Sequence, residues 1–324
     1  MRQLDFSSTC TAYAPSSTAN IGPGYDVFGL GLNLFGDRVT IFMRSTKSNH
    51  LRIRAIRKDE DKRNFVPSKL EYNSAGLVIK KMCKDFGIQF DLDINITKGV
   101  PVGYGLGSSA ASAAAAATAF DKLFNLNIEK TKLVEYAAEG EIASAGTKHY
   151  DNVSASLLGG FVIVRTSPKL EFIRLEPPED LVLVIAIPAI NVPEGKTGRA
   201  RRILPKEIAL TKVVTTISNA SMVVAGFALK DTEMLASGIH DIIVEPSRKR
   251  LIPGYDSVKK NALAAGSLAV TISGAGPSMI SFVKTTRHAK KVANAMSAGF
   301  AEARVKSSTF ITHPSRGARV VKSI

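Results

Sequence analysis

Apolar positions along the chain change their period several times, and each change marks an element. QFDLDINI (Gln89–Ile96) alternates, which puts Phe90, Leu92, Ile94 and Ile96 on one face of a strand. HLRIRAI (His50–Ile56) alternates too, with Leu51, Ile53 and Ala55 sharing a face. Between them, NSAGLVIKKMCKDFG switches to helical spacing. Val78, Met82 and Phe86 recur every fourth position, Asn73 and Ser74 are cap candidates, and Gly87 closes the helix. NIEKTKLVEYAAEGEIASAG predicts another helix, and Gly159–Gly160 leads into the apolar run FVIV. The rhythm fails in TSPKLEFIRLEPPED, where polar residues and a Pro-Pro pair predict a seam dividing residues 1–168 from 169–324. Beyond it come a strand (LVLVIAIP), a long helix around KEIALTKVVTTISNASMVVAGFALK, and then helix, strand, glycine turn (GAGPS), strand, helix and strand to SSTFITH. This order predicts an α+β fold of helices on a mostly antiparallel sheet.

Composition narrows the function classes. The chain of 324 residues is 45% hydrophobic, enough for a sizeable core. No apolar run reaches the roughly 18 residues that span a bilayer, and no apolar stretch follows MRQLDFSSTC as in a secretory signal, so a cytoplasmic protein with no membrane partner is expected. Cys10 and Cys83 are the only cysteines and histidines number five, so neither a disulfide framework nor a transition-metal site is expected. Lys plus Arg exceed Asp plus Glu by 43 to 28, giving +15. The basic residues are scattered and lack interleaved aromatics, which argues against nucleic acid and leaves anionic small molecules or a solvated surface.

The least ordinary stretch is PVGYGLGSSAASAAAAA (Pro101–Ala117). Gly103, Gly105 and Gly107 follow a strand and a turn, and Ser108 opens a helix. A glycine-rich loop running into a helix N-terminus offers unpaired backbone N–H groups and about half a positive charge, a cradle for phosphate. Ser108 and Ser109 can cap the helix or face a phosphate or metal, and the alanines allow close packing. Gly195-Lys196-Thr197 looks like the end of a Walker A loop, but position 190 is Ile, and the third glycine of a G-x-G-x-x-G is replaced by Ala110. In the helix around Lys132–Ala145, Leu133, Val134, Ala137 and Ala138 mark an apolar face that Glu141 continues. That inward carboxylate needs a partner, either a metal or an internal Lys or Arg.

PVGYGLGSSA, together with APSSTANIGPGYDVFGLGL (Ala14–Leu32) and SGAGPS (Ser273–Ser278), occurs in the order of the three signatures of the GHMP small-molecule kinases, and the chain resembles that superfamily over nearly its whole length. STANIGPGYD, KHYDNVSASLLGG, TGRARRILP and IVEPSRKRLIPG are similar to the homoserine kinase family in particular. The resemblance implies a two-domain GHMP fold, with an N-terminal domain of ribosomal-protein-like α/β type and a C-terminal ferredoxin-like α/β sandwich. It implies transfer of the γ-phosphate of ATP to L-homoserine, with Mg2+, in a homodimer. The nucleotide would lie on Pro101, Gly103, Gly105, Leu106, Gly107, Ser108, Ser109, Ala110 and Ala111, with Asn73 near the adenine and Gly274 and Gly276 closing the site. Ser109 and Glu141 would hold the metal, with Glu139 the alternative if the alignment slips. Asn20, Asp26, His149, Thr197, Arg201, Arg248 and Gly274 would meet the substrate, the two arginines taking its carboxylate. Asn152 falls where mevalonate kinases carry an aspartate, and Asp151 adjoins it. The implied mechanism is direct attack by the substrate hydroxyl, positioned by Asn152, without a protein general base. The rival readings are a related kinase acting on shikimate or mevalonate, and a basic nucleic-acid-binding protein.

Overall fold

The structure is a computed structural model and describes residues 8–44, 50–58, 66–193 and 195–323. Residues 1–7 of the opening MRQLDFSSTC, read above as no secretory signal, lie outside it. In chain order the first half gives β1 (Thr9–Asn20), β2 (Gly24–Met43), β3 (Leu51–Lys58), α1 (Ser74–Phe86), β4 (Leu92–Lys98), α2 (Ser108–Leu123), α3 (Lys130–Ala145), α4 (Tyr150–Leu158), β5 (Phe161–Arg165) and β6 (Glu171–Leu175). The second half gives β7 (Val182–Pro188), α5 (Lys196–Arg202), α6 (Leu210–Leu229), α7 (Thr232–Ser237), α8 (Glu245–Arg248), α9 (Tyr255–Ala264), β8 (Ala269–Ile272), β9 (Met279–Val283), α10 (Thr286–Glu302), β10 (Ser307–Thr312) and β11 (Arg319–Ser323).

The predicted elements form for the predicted reasons, with local differences. Asn73 caps α1 by accepting from the Gly76 N–H at 3.1 Å, and Gly87 ends it with φ +63°. Val78 and Met82 are buried, while Phe86 stays partly exposed with its ring against Tyr136. In β3 the alternation is interrupted: a bulge between Ile53 and Ala55 brings Ile56, not Ala55, opposite Ile96, so Ile56 packs on the core. Helix α2 is buried on all sides, with Ala110, Ala111, Ala113–Ala117 and Ala119 fully enclosed between β1, β2 and helices α1, α3 and α4. Only side chains this small let a helix sit between a sheet and three other helices.

The first sheet has the order β11-β1-β2-β4-β3, with the β5–β6 hairpin paired to β2, and β3–β4 is its parallel pair. The second, with order β10-β7-β9-β8, is antiparallel and carries α9 and α10 on one face. The two-domain α+β architecture is thus as expected. Sheet membership changes over after residue 168, however. EFIRL of the expected seam forms β6 of the first sheet, because it pairs Phe161–Arg165 residue for residue. The C-terminal β11 also returns to pair with β1.

By length and composition alone, the twenty residues of α6 would suffice to cross a membrane, although polar residues interrupt the helix and no apolar run of that length occurs in it. After Lys212 the interruptions are Thr, Ser and Asn rather than charges, and the hydroxyls of Thr215, Thr216, Ser218 and Ser221 bond back to carbonyls one turn earlier.

Candidate active site

Two glycine loops meet where the sheets approach each other. The first connects β4 to α2, and its glycines at 103, 105 and 107 all have positive φ. At Gly105 (φ +78°) an added Cβ would lie 2.7 Å from Gly276 O and closer still to Ser273 O, so this residue must be glycine for the loops to touch. The second loop, Ser273–Ser278, is tied down by Ser273 Oγ to Gly105 O at 2.8 Å and by Ser278 N to Tyr104 O at 3.3 Å. Beneath the first loop, buried Asp37 accepts from the Gly99 and Val100 N–H groups at 3.0 and 3.1 Å, from Ser112 Oγ at 2.6 Å, and from Lys98. Lys98 also bonds Ser108 O, so a buried ion pair fixes the start of α2.

The loops border a cavity of about 680 Å³ whose lining includes Asn20, Asp26, Gly103, Gly105, Leu106, Gly107, Ser108, Ser109, Glu141, His149, Asp151, Asn152, Thr197, Arg201, Arg248 and Gly274. Most of the predicted site residues are therefore brought together. Five are not on the lining. Asn73 uses both ends of its amide on the backbone of Pro67 and Gly76 as the cap of α1. Ala110 and Ala111 are buried in α2, Pro101 stands behind the loop, and Gly276 offers its carbonyl to Lys196. The two serines divide: the Ser108 hydroxyl turns inward to Val100 O at 2.9 Å, whereas Ser109 lines the cavity only partly buried.

Glu141 is buried as its helical position required, and its carboxylate lies 3.1 Å from His149 Nδ1. Burial alone would lower the His149 pKa; the hydrogen bond and charge of Glu141, helped by Asp151, outweigh it and hold the pKa above the usual value. Glu139 pairs with Lys148 at 2.5 Å, off the cavity lining. Among the described residues no cluster of three or more His, Cys, Asp or Glu could hold a metal. A Ser109–Glu141 pair beside a phosphate cradle fits magnesium, which takes one or two protein oxygens and leaves the rest to phosphates and water.

Asp151 and Asn152 both reach the cavity. They open α4, and Asp151 Oδ1 accepts the Asn152 N–H at 2.7 Å and its Nδ2 at 3.4 Å. Asn152 Oδ1 accepts from Ser17 Oγ at 3.1 Å, so the amide is clamped at both ends. Burial, and next the charge of Asp26, push Asp151 up to about 6.

Arg201 and Asp26 are already paired, through two bonds of 2.8 Å. Asp26 adopts φ +57° and is held by Asn20 Oδ1, while Asn20 Nδ2 bonds Gly274 O at 2.9 Å. The buried Nε of Arg201 has no hydrogen-bond partner. Arg248, 3% exposed, donates to Ala200 O and Gly274 O, and among the described residues no carboxylate pairs with it. It is fixed by α8, whose start is held by Asp241 on three N–H groups and by Glu245 bonded to Thr271, Tyr255 and Lys259. Burial lowers the Arg248 pKa. Three contributors were not assigned from the sequence. Tyr25 lies with its ring 5.1 Å from Arg248 and 5.4 Å from Arg201. Ser17 and Lys196 are the others. Ser17 and Tyr25 lay within the quoted Ala14–Leu32 segment and Lys196 within Gly195-Lys196-Thr197, but no role was assigned to any of them.

A helix N-terminus opened by a glycine loop, facing a pocket of arginines and carboxylates between two α/β layers, defines the class of GHMP kinases. The family "GHMP kinases N terminal domain" matches residues 73–160, and "GHMP kinases C terminal" matches 223–302. The homoserine kinase of Thermoplasma volcanium is 38% identical over 268 residues, 82% of each chain. That of Chlorobaculum tepidum is 32% identical over 97% of this chain and 99% of its own. A crystal structure of homoserine kinase from Cytophaga hutchinsonii superposes with a TM-score of 0.89 at 36% identity, covering 99% of both chains. The L. major mevalonate kinase, with a TM-score of 0.68 at 14% identity over 97% of this chain and 99% of its own, shares the fold. Within the GHMP kinases, this chain belongs to the homoserine kinase family.

Proposed function

We propose that the chain transfers the γ-phosphate of ATP to the hydroxyl of L-homoserine, giving O-phospho-L-homoserine for threonine biosynthesis. The observation that carries the substrate assignment is Arg248, a buried guanidinium on the cavity wall without a carboxylate among the described residues. A buried cation of this kind is complementary to the carboxylate of an amino acid. Arg201 contributes its unpartnered Nε to the same group, and Asp26 and Asp151 receive the ammonium. Backbone N–H groups of Gly103–Ser109 and the open end of α2 hold the phosphates. Ser109 and Glu141 would hold Mg2+, which supplies neutralisation of the triphosphate's charge. Asn152, fixed between Ser17 and Asp151, orients the substrate hydroxyl for direct attack, with no protein general base.

Shikimate and mevalonate also carry a carboxylate but no ammonium, and two carboxylates beside the arginines favour homoserine. Cys10 and Cys83 are free thiols, in keeping with a reducing cytoplasm. The reading extends to a homodimer through α6. Leu210, Val214 and Ile217 are 60–76% exposed on a helix with no charge after Lys212. On a chain of +15, an uncharged face is where a second copy approaches without repulsion. No nucleic-acid or membrane partner is part of this reading.

The test is ATP consumption with magnesium, comparing L-homoserine with L-threonine, L-serine, shikimate and mevalonate. Turnover with L-homoserine alone, lost in Arg248→Ala, is the expected result. Turnover with shikimate or mevalonate instead would overturn the substrate assignment.

A further inference from the structure

Gly195-Lys196-Thr197, set aside as an incomplete Walker A loop, is not idle in the fold. Lys196 begins α5, the helix that carries Arg201, and its side chain lines the same cavity as Gly105, Gly107 and Ser109. Its Nζ donates to Gly103 O at 2.8 Å and to Gly276 O, bridging the two glycine loops. Both acceptors are neutral carbonyls, and among the described residues no carboxylate forms an ion pair with it. We propose that Lys196 is a phosphate-contacting residue of the nucleotide site, its ammonium turning from these carbonyls to a phosphate oxygen of bound ATP.

The argument is one of charge balance. A partly buried ammonium on the cavity wall, held only by carbonyls, lacks a counter-charge, and a triphosphate entering the cavity supplies it. Only backbone carbonyls face the amine from the glycine loops, and Arg248 is the charged group acting on it among the described residues. Burial first, and then Arg248, push the Lys196 amine down to about 7. At pH 8 it is therefore mostly neutral, and a polyanion beside it draws a proton back. A lysine that merely stapled the loops together would keep its carbonyl bonds and take up no proton.

The inference rests on the kinase reading, so the experiment separates the two. Binding of AMP-PNP with magnesium, of adenosine and of L-homoserine is measured by titration calorimetry at pH 8 in buffers of different ionisation enthalpy. Lys196→Met is expected to weaken AMP-PNP roughly 10- to 100-fold, the worth of a charge-assisted hydrogen bond. Adenosine and homoserine affinities stay within about 2-fold, since neither contacts the amine. Wild-type protein takes up close to one proton with AMP-PNP at pH 8, whereas Lys196→Arg binds AMP-PNP without that uptake, because arginine is already charged. Three results would overturn the inference: unchanged AMP-PNP affinity in Lys196→Met, equal losses for AMP-PNP and adenosine, or undiminished proton uptake in Lys196→Arg. Wild-type protein that binds no AMP-PNP would refute the kinase reading itself.

Discussion

Substituting Gly105 with alanine isolates the contact between the two glycine loops. The residue sits at φ +78°, where an L side chain costs about 1–2 kcal/mol by itself. A Cβ there would also stand 2.7 Å from Gly276 O and closer still to Ser273 O, while an unstrained contact needs about 3.5 Å, so one loop must retreat by at least about 1 Å. Displacement of that size in a reacting geometry lowers rates by about 100-fold. The expected phenotype of Gly105→Ala is therefore a folded protein, a few degrees less heat-stable, with kcat/KM for ATP down about 100-fold. Gly87→Ala is the control. Its φ of +63° carries a similar conformational penalty, but nothing lies within 4 Å of the added Cβ, so only stability should fall. Steady-state kinetics at saturating homoserine and thermal denaturation measure both. Retention of kcat/KM within about 3-fold in Gly105→Ala, or an equal loss in Gly87→Ala, would refute the reasoning that loop contact positions the nucleotide.

Four further outcomes follow from the structure. Asn152→Ala should lower kcat by about 100-fold or more with little change in homoserine affinity, and a wild-type turnover number would end the positioning role. Asp151→Asn should act mainly on homoserine KM. Because burial raises this carboxyl from 3.8 to about 6, its ionised form opposes folding, a penalty absent below pH 4 and complete above about 6. Melting curves should thus show Asp151→Asn gaining on wild type as pH rises through that window, and a constant difference would contradict the assignment. Asp37→Ala leaves the Lys98 ammonium buried and unpaired, which costs about 3–5 kcal/mol, so a melting temperature lowered by roughly 10 °C is expected and a fall of under 2 °C would not fit. Finally, Ile217→Glu puts a charge on the exposed face of α6. Sedimentation should show a dimer converted to monomer, and a wild-type chain that is monomeric throughout would remove that face from the assembly.

The elements of the fold were legible because periodicity reports burial. Helix α1 could be placed from the four-residue spacing of Val78 and Met82, the Asn73 cap and Gly87, and β4 from strict alternation. The bulge in β3 was not legible, since an extra residue moves Ile56 to the core without altering composition. Nor was β6 visible, because EFIRL acquires its strand character from its partner Phe161–Arg165. For the site, Glu141 could be seen to face inward from its place on α3. That its partner is His149 depends on how α3 and α4 pack.

By itself, the sequence determined the strongly periodic helices and strands, where a backbone able to cradle phosphate lies, and which side chains carry the charges. Local spacing and glycine conformation are short-range properties written residue by residue. Only the tertiary structure decided that Gly105 must admit Ser273 and Gly276, that Asp26 and Arg201 neutralise each other, and that Lys196 reaches both loops. Those contacts join residues 168 positions apart for Gly105 and Ser273, 175 for Asp26 and Arg201, and 93 and 80 for Lys196 with the two loops. No local pattern records such pairings, because the free energy that sets them belongs to the packing of one sheet and its helices against the other.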